Sequence, residues 1–443
     1  MIARLRSVWL SINASYWFFP ALFSIIAFIL SFVTVYLDRN GAAEWLTSVP
    51  WLEPARPEGA RTVLTVIAGS MIGVAATVFS ITIAAVAYAS GNYDPRLLTN
   101  FMEDRGNQLS LGVFIATFVY ALIVLRVVRG EDERPASTAD AAATTLPGFT
   151  PQLSLLVATA MAIWAVGVLV YFLHHIPAGI RINTVLQGIG ERLVRDIKRR
   201  FPDEEGKREP QEARRGAPIP AESNGYLEII DFETLDAIAE RTDGRIALRL
   251  RTGDFVHRGV PLAEVDGTDV DDDLADCIRD CFVTGGMRTA TQDLEHLIDE
   301  LVEIALRALS PGINDPFTAV TALHWLSAGM AELARRDLDR GPEQDKYDRS
   351  RVQPLDDDFE HFLNRSFSAV RASVAGSPMA SLKFLDALES IAPVTRSRRR
   401  RAMLLGEGLQ LVEQAKTALE GPSMDRLNDR FDSFAEAMEK LGT

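Results

Sequence analysis

Four stretches of this chain, Tyr16–Leu37, Thr62–Tyr88, Leu109–Leu125 and Gln152–Leu173, are apolar around their whole circumference and carry no charged residue in their interiors. Each is close to or above the ~20 residues that a helix needs to cross ~30 Å of hydrocarbon. A helix packed on the outside of a water-soluble domain would show a polar face, and these show none. The expected fold is therefore membrane α-helical, with four transmembrane helices.

Charge divides the chain at the end of this region. Residues 1–200 hold 16 Lys/Arg against 13 Asp/Glu, and the remaining residues hold 30 against 47, which together make the net −14 of the 443-residue sequence. The back half is an acidic region long enough for one or two cores. Its sign excludes nucleic acid as a partner, because phosphate binding needs a basic face. The two cysteines, Cys277 and Cys281, have the i,i+4 spacing of one helix side and predict no disulfide framework.

The positive-inside rule orients the spans. Arg4, Arg6, Arg96, Arg105, Arg181, Arg192, Arg195, Lys198, Arg199 and Arg200 fall on the side that holds both ends. Arg39, Arg56, Arg61, Arg129 and Arg134 fall on the other, so both termini are expected in the cytoplasm. The first apolar stretch is too long for a signal-peptide core and reads as a retained span.

The second span is rich in small and hydroxyl residues, with Gly69 and Gly73 in a small-x-x-x-small pattern that lets helices approach closely. Ser70, Val74, Thr77, Val78, Ile81 and Ala85 are the candidate pore-lining residues. Asn92 and Asp94 before Pro95 predict a turn into a short helical hairpin between spans two and three. A short interfacial helix is expected around Glu44–Trp51, and the Ala/Thr/Asp-rich Gly130–Thr150 loop reads as disordered. His174-His175-Ile176-Pro177 predicts the end of the fourth helix. A basic amphipathic helix, Gly179–Arg200, and a Pro/Glu/Arg-rich linker to Pro220 follow.

The domain boundaries expected from these patterns are a transmembrane domain over 1–176, the amphipathic helix and linker over 177–220, a small β-containing adapter over 221–268 and a cytoplasmic all-α domain over 269–443. The adapter contains Gly225–Ile230, Arg245–Leu250 and the two-glycine unit Gly253–Val265. These resemble half of a biotinyl/lipoyl-like barrel. No lysine lies between Lys207 and Lys346, so a swinging-arm carrier is excluded. After Asp269 the pattern reads as helical throughout. Thr289-x-x-Gln292 predicts a capping box at a helix start, ahead of an apolar stripe from Leu294 to Leu309. Ser310-Pro-Gly-Ile-Asn-Asp-Pro316 predicts a stop and a restart, with Asp315 at the N-cap and Pro316 at the first helical position.

The run Arg288–Asp293 and the segment Leu301–Ala319, together with Tyr93-Asp-Pro-Arg-Leu-Leu98 and the four-span layout, resemble a bacterial family of predicted inner-membrane proteins, domain of unknown function 2254. The resemblance implies a multi-pass protein of the bacterial plasma membrane. It carries no reaction, substrate or catalytic residue.

Function must then be read from the residues. A coupled carrier needs an ionisable side chain at mid-membrane, and the four spans have none. A channel needs only a lined hole and a gate. The expectation is a homo-oligomeric, channel-like pore regulated by its cytoplasmic region, with the lipid bilayer, further copies of the chain and a small ion as partners. The alternative is a membrane-anchored sensory or interaction protein whose helical tail, with its Arg396–Arg401 run, binds a partner or ligand. An enzyme is the weakest reading. Arg288, Gln292, Asp293, Ser310, Asn314 and Asp315 form the one candidate ligand or turn motif, each has a turn or cap role, and no nucleophile, nucleotide-loop or zinc spacing accompanies them. No cofactor or metal is implied.

Overall fold

The computed structural model describes residues 15–41, 55–92, 104–130, 148–179, 181–201, 216–290, 292–336, 338, 351–355 and 358–442. The described residues divide into two compact units, one within 10–181 and the other within 182–443.

The membrane unit holds four helices long and apolar enough to cross a bilayer: α1 (Phe18–Arg39), α2 (Pro57–Asn92), α3 (Arg105–Val127) and α4 (Gln152–Gly179). Helix α3 is the centre of the bundle. It packs on the other three, and more than half of its apolar window is buried, against a third or less in each of the others. Phe114, Tyr120, Ala121 and Val124 of α3 are fully enclosed.

Polar groups tie the helix ends. Thr34 Oγ1 and Tyr120 OH lie 2.8 Å apart, and Tyr120 OH donates to Ser154 O at 3.3 Å. The Asp38 carboxylate accepts from Leu153 N, Ser154 N and Ser154 Oγ at 2.7–3.0 Å. It thus caps the first turn of α4 from another helix, where a negative charge meets unsatisfied N–H groups. At the other end of α3, Asp104 accepts from Gly106 N and bonds His175 Nε2 at 2.7 Å. Helix α4 therefore does not stop at His174-His175: it runs on to Gly179, and His175 is held by Asp104 and by stacking on Tyr171. The short helices expected around Glu44–Trp51 and after Asp94, and the interior of the Gly130–Thr150 loop, lie outside the described residues. Arg129 and Phe149 bridge the ends of that loop.

The second unit opens with α5 (Ile182–Arg200), whose Leu186, Ile189, Leu193 and Ile197 are buried. Then come β1 (Ala217–Pro220), β2 (Gly225–Ile230), α6 (Phe232–Arg241), β3 (Arg245–Leu248), β4 (Phe255–Val256), β5 (Pro261–Asp266), α7 (Asp272–Arg279) and β6 (Phe282–Gly285). The strands form two small sheets, ordered β1-β5-β3-β7 and β4-β2-β6, where β7 is Val352–Gln353. Pro218 and Pro220 lie in β1, an edge strand, where a missing N–H is tolerated. Side chains of both sheets, α6 and α7 share one apolar core that includes Ile219, Leu227, Leu235, Ile246, Val265 and Ile278.

The region after Asp269 is helix-rich but not all-α, because β6 pairs with β2 and β7 pairs with β3. Strands of four and two residues have no periodicity of their own and exist only through distant partners. Cys281 lies just past α7, buried, while Cys277 is exposed. They do not share a helix side.

The remaining elements are α8 (Leu294–Ala308), α9 (Pro316–Arg335), α10 (Phe359–Leu363), a π-helical turn (Asn364–Ser368), α11 (Ala369–Ala375), α12 (Pro378–Ile391), α13 (Arg398–Ala415) and α14 (Pro422–Lys440). Phe367 meets Phe384 edge-on at 5.0 Å, and Phe434 fills the space left by Gly408.

Helices α5, α8 and α9 pack on one another, and α9 also packs on α12. The ring of Trp325 occupies the place where a side chain at Gly190 would begin, 2.1 Å away. Gly329 likewise admits Leu193, and Arg336 Nη1 donates to Phe201 O. Each full burial of such an aliphatic side chain contributes about 1.5–3 kcal/mol.

Candidate functional site

Arg288, Gln292 and Asp293 converge at the N-terminal end of α8. Asp293 is the N-cap: its Oδ1 accepts from His296 N at 3.0 Å, and its Oδ2 accepts from Arg288 Nε and Nη2 at 2.9 and 2.6 Å. The expected capping box does not form. Gln292 turns away and brackets Ile230 instead, accepting from its N–H at 2.9 Å and donating to its carbonyl at 3.2 Å. Asp293 rather than Thr289 is the cap because the helix begins at Leu294, which puts Asp293 directly before the first helical residue.

The cluster extends to residues not singled out from the sequence. Glu295 and Asp299, one turn apart on α8, both face Arg365 of the π-helical turn. Arg365 grips Asp299 with two donors at 2.7 Å and reaches Glu295 at 2.7 Å. His361 Nε2 bonds the other Glu295 oxygen at 2.6 Å, and Arg288 Nη1 returns to Asp299 at 2.5 Å. Gly253, at φ +94°, brings its backbone against Asp293, so that a Cβ there would lie 2.1 Å from Oδ2.

Burial pushes the Asp293 carboxyl above its ordinary value, and the Arg288 guanidinium only partly offsets this. Glu295 is also desolvated, but His361 and Arg365 outweigh that and hold it below the usual range. The arrangement sets two guanidinium groups, Arg288 and Arg365, between three carboxylates, with His361 on the outer oxygen of Glu295. Chemically it can neutralise buried charge and lock the 288–293 and 361–365 segments to α8. Among the described residues no group of three or more His, Cys, Asp or Glu is placed to hold a metal ion.

Ser310, Asn314 and Asp315 are not part of this cluster. They lie past the far end of α8, roughly 20 Å away along a 15-residue helix. Asp315 caps α9: its Oδ1 accepts from Thr318 N at 3.2 Å and its Oδ2 from Thr318 Oγ1 at 2.6 Å, with Pro316 following. Asn314 takes the left-handed conformation, φ +49°, which asparagine tolerates better than most residues. Ser310 O accepts from Ile313 N and Asn314 N, and Asp315 N donates to Ala308 O at 2.7 Å. The turn leaves two large apolar side chains outside, Ile313 at 44% and Phe317 at 70% exposure.

On α2 the six candidate pore residues do not share one face. Ser70, Thr77 and Ile81 point out of the bundle, Val74 is half-buried, and Val78 and Ala85 pack inside it. The outward face also carries Gly69, Gly73, Ala76, Ser80 and Ala84. Among the described residues no atom comes within 4 Å of where a Cβ of Gly69 or Gly73 would be. An open groove of about 380 Å³ runs along Ala76, Thr77, Ser80, Ile81 and Ala84. The hydroxyls of Ser70, Thr77 and Ser80 donate to carbonyls one turn back at 2.7, 3.0 and 2.9 Å.

The basic run Arg396–Arg401 is largely used within the fold. Arg400 donates to the last carbonyls of α9, including Arg336 O at 3.0 Å, and Arg401 donates to Thr395 O and Gly442 O.

The two carboxylates on α8, one turn apart, and the arginine after His361 are the signals that could have marked the missed residues. Nothing local pairs them across 66 positions.

The family described as Predicted membrane protein (DUF2254) matches residues 13–390. An uncharacterized protein of Mycobacterium bovis and two of Mycobacterium tuberculosis are each 30% identical over 356 residues, covering 77% of this chain and 66% of their own length. The chain thus spans just under two thirds of the curated relatives it matches. No solved structure matches it.

Proposed function

The chain belongs to the DUF2254 family of predicted membrane proteins, and on that premise we propose that it is a homo-oligomeric, channel-like protein of the bacterial inner membrane. In this reading both termini are cytoplasmic, the small sheets act as an adapter barrel, and the second unit regulates the pore.

One observation carries the reading: the smallest and most hydroxyl-rich face of α2 is turned away from its own bundle. Among the described residues nothing packs on Gly69 or Gly73, so their lack of a side chain suits the close approach of another helix or a water-filled lumen. The self-bonded hydroxyls of Ser70, Thr77 and Ser80 are satisfied in lipid, yet keep lone pairs that can meet a small ion. Ile81, on the same face, supplies an apolar constriction. The alternative, a sensory protein whose helical tail captures a partner, draws less support, since Arg400 and Arg401 are engaged by backbone carbonyls.

The test is the mass of the purified protein in nanodiscs, with disulfide trapping at Thr77→Cys and Ser80→Cys against the buried Val78→Cys, followed by planar-bilayer recording. Assembly with crosslinks at 77 and 80 but not at 78, and a conductance altered by Thr77→Cys modification, is the expected result. A monomer with no conductance under voltage, tension or pH change would end the proposal.

A further inference from the structure

The Ser310–Phe317 turn has no role in the reading above, and its position within the second unit says what it can meet. Helices α5 and α9 run parallel in register. Gly190 faces Trp325, Leu193 faces Gly329, and Phe201 O meets Arg336, a constant offset of about 135 positions. Carried back two turns, that register sets Phe317 at the level of Ile182, the first residue of α5. The loop containing Ile313 projects beyond it.

Ile182 is tethered. Only Ile180 and Arg181 separate it from Gly179, the last residue of α4, and the apolar span of α4 ends at Ile176. Three helical rises and three extended steps cover at most about 15 Å. Ile313 and Phe317 therefore lie at the end of their unit that carries Ile182, the residue joined to α4 by this short link.

The turn has the chemistry of a group that enters an apolar interface. Asp315 is the only Asp, Glu, Lys or Arg from Ser310 to Ala331, a stretch whose one other ionisable group is His324, in the half of the chain that is richest in charge. Its carboxylate is occupied by Thr318, and the backbone N–H groups of Ile313 and Asn314 are bonded to Ser310 O and that of Asp315 to Ala308 O at the end of α8. Little polar desolvation then opposes burial of the tip. Phe317 at 70% and Ile313 at 44% exposure are costly to leave in water and suited to the boundary between headgroups and acyl chains.

We propose that the Ser310–Phe317 turn is an interfacial membrane anchor, with Ile313 and Phe317 inserted into the leaflet from which α5 emerges. The anchor rests on α4 being a span and is independent of oligomerisation or conduction. It fixes helices α5, α8 and α9 to the lipid surface at a second point besides the α4–α5 connection.

The experiment uses the full-length protein with Cys277→Ser, leaving the buried Cys281, whose thiol is pushed up to about 12 and resists labelling. Phe317→Cys carries an environment-sensitive fluorophore in vesicles of phosphatidylcholine and phosphatidylglycerol, with and without lipids bearing a quencher near the headgroup. Met287→Cys, equally exposed at 69% but at the opposite end of α8, is the control. The expected result is a blue-shifted emission at 317 and lipid quenching several-fold stronger than at 287. Equal, water-like behaviour at the two sites would overturn the anchor. So would short-range coupling between spin labels at 317 of two copies without lipid quenching, since that would make the turn a protein contact.

Discussion

Asp293 meets three demands at once: it caps α8, it receives Arg288, and it presses on the backbone of Gly253. Gly253 pays for none of this with a side chain, and that is why the third demand can be met. At φ +94° any other residue is strained, and a Cβ would displace the Asp293 carboxylate. Gly253→Ala is expected to cost roughly 2 kcal/mol or more, from backbone strain plus disruption of a buried ion pair. A thermal melt in detergent checks it, and an unchanged Tm would contradict the contact.

Glu295 carries the pH dependence. Its carboxyl is held below the ordinary 4.5 in the fold, so its contribution is complete above that value and is lost as pH falls through the lower folded one. Asp293 has the opposite sign: its raised value makes stability fall as pH rises above 3.8 toward the folded value. Glu295→Gln should flatten the acid limb of a stability-versus-pH curve below 4.5, while lowering stability at neutral pH because Arg365 and His361 lose a charge partner. A limb as steep as the parent's would show that Glu295 is not its source.

At the scale of elements, the caps and spans were legible and the pairings were not. The four spans announce themselves by length and by missing charge, and Asp315-Pro316, Ser377-Pro378 and Ser397 mark helix starts where the structure has them. These signals are local. Past His175, α4 is held by Asp104, 71 positions away, and β6 and β7 pair with strands remote in the sequence, β2 and β3. Candidate-site residues followed the same rule. Arg288, Gln292 and Asp293 could be picked out, whereas the outward turn of Gly69 and Gly73 could not, because a small-residue pattern reads the same on either side of a helix. The α5–α9 seam gives a test of such a non-local contact. Gly190→Ala should cost about 1–3 kcal/mol by overpacking against Trp325. In a Trp325→Ala background the same change should cost far less, since the obstructing ring is gone. Additive effects in the double-mutant cycle would mean that the helices do not meet at Gly190.

Over the whole molecule, the acidic residues are concentrated in the second unit, and this dictates where acid acts. The described carboxylates bonded to the membrane unit's helix ends, Asp38 and Asp104, meet N–H groups, a serine and a histidine rather than arginines. The second unit is bound together by guanidinium–carboxylate pairs: Arg288 and Arg365 with Asp299, Arg371 with Glu407, and Arg430 with Asp386. Asp386 is desolvated, but Lys383 and Arg430 hold it below the ordinary 3.8, so its contribution, like that of Glu295, is lost as pH falls through its folded value. The apolar contacts around α3 include no carboxylate or histidine. Hydrogen exchange in nanodiscs, followed from pH 7 down through 4.5 and 3.8, should therefore show protection lost first in α8, α10 and α12, with Phe114–Val124 of α3 protected throughout. The amides of α3 serve as the internal reference, because acid also slows intrinsic exchange in both units alike. Simultaneous loss in α3 and α8 would mean that the charge network and the membrane bundle unfold as one cooperative body, and a regulatory unit that can respond to its surroundings without dismantling the spans would then have no physical basis.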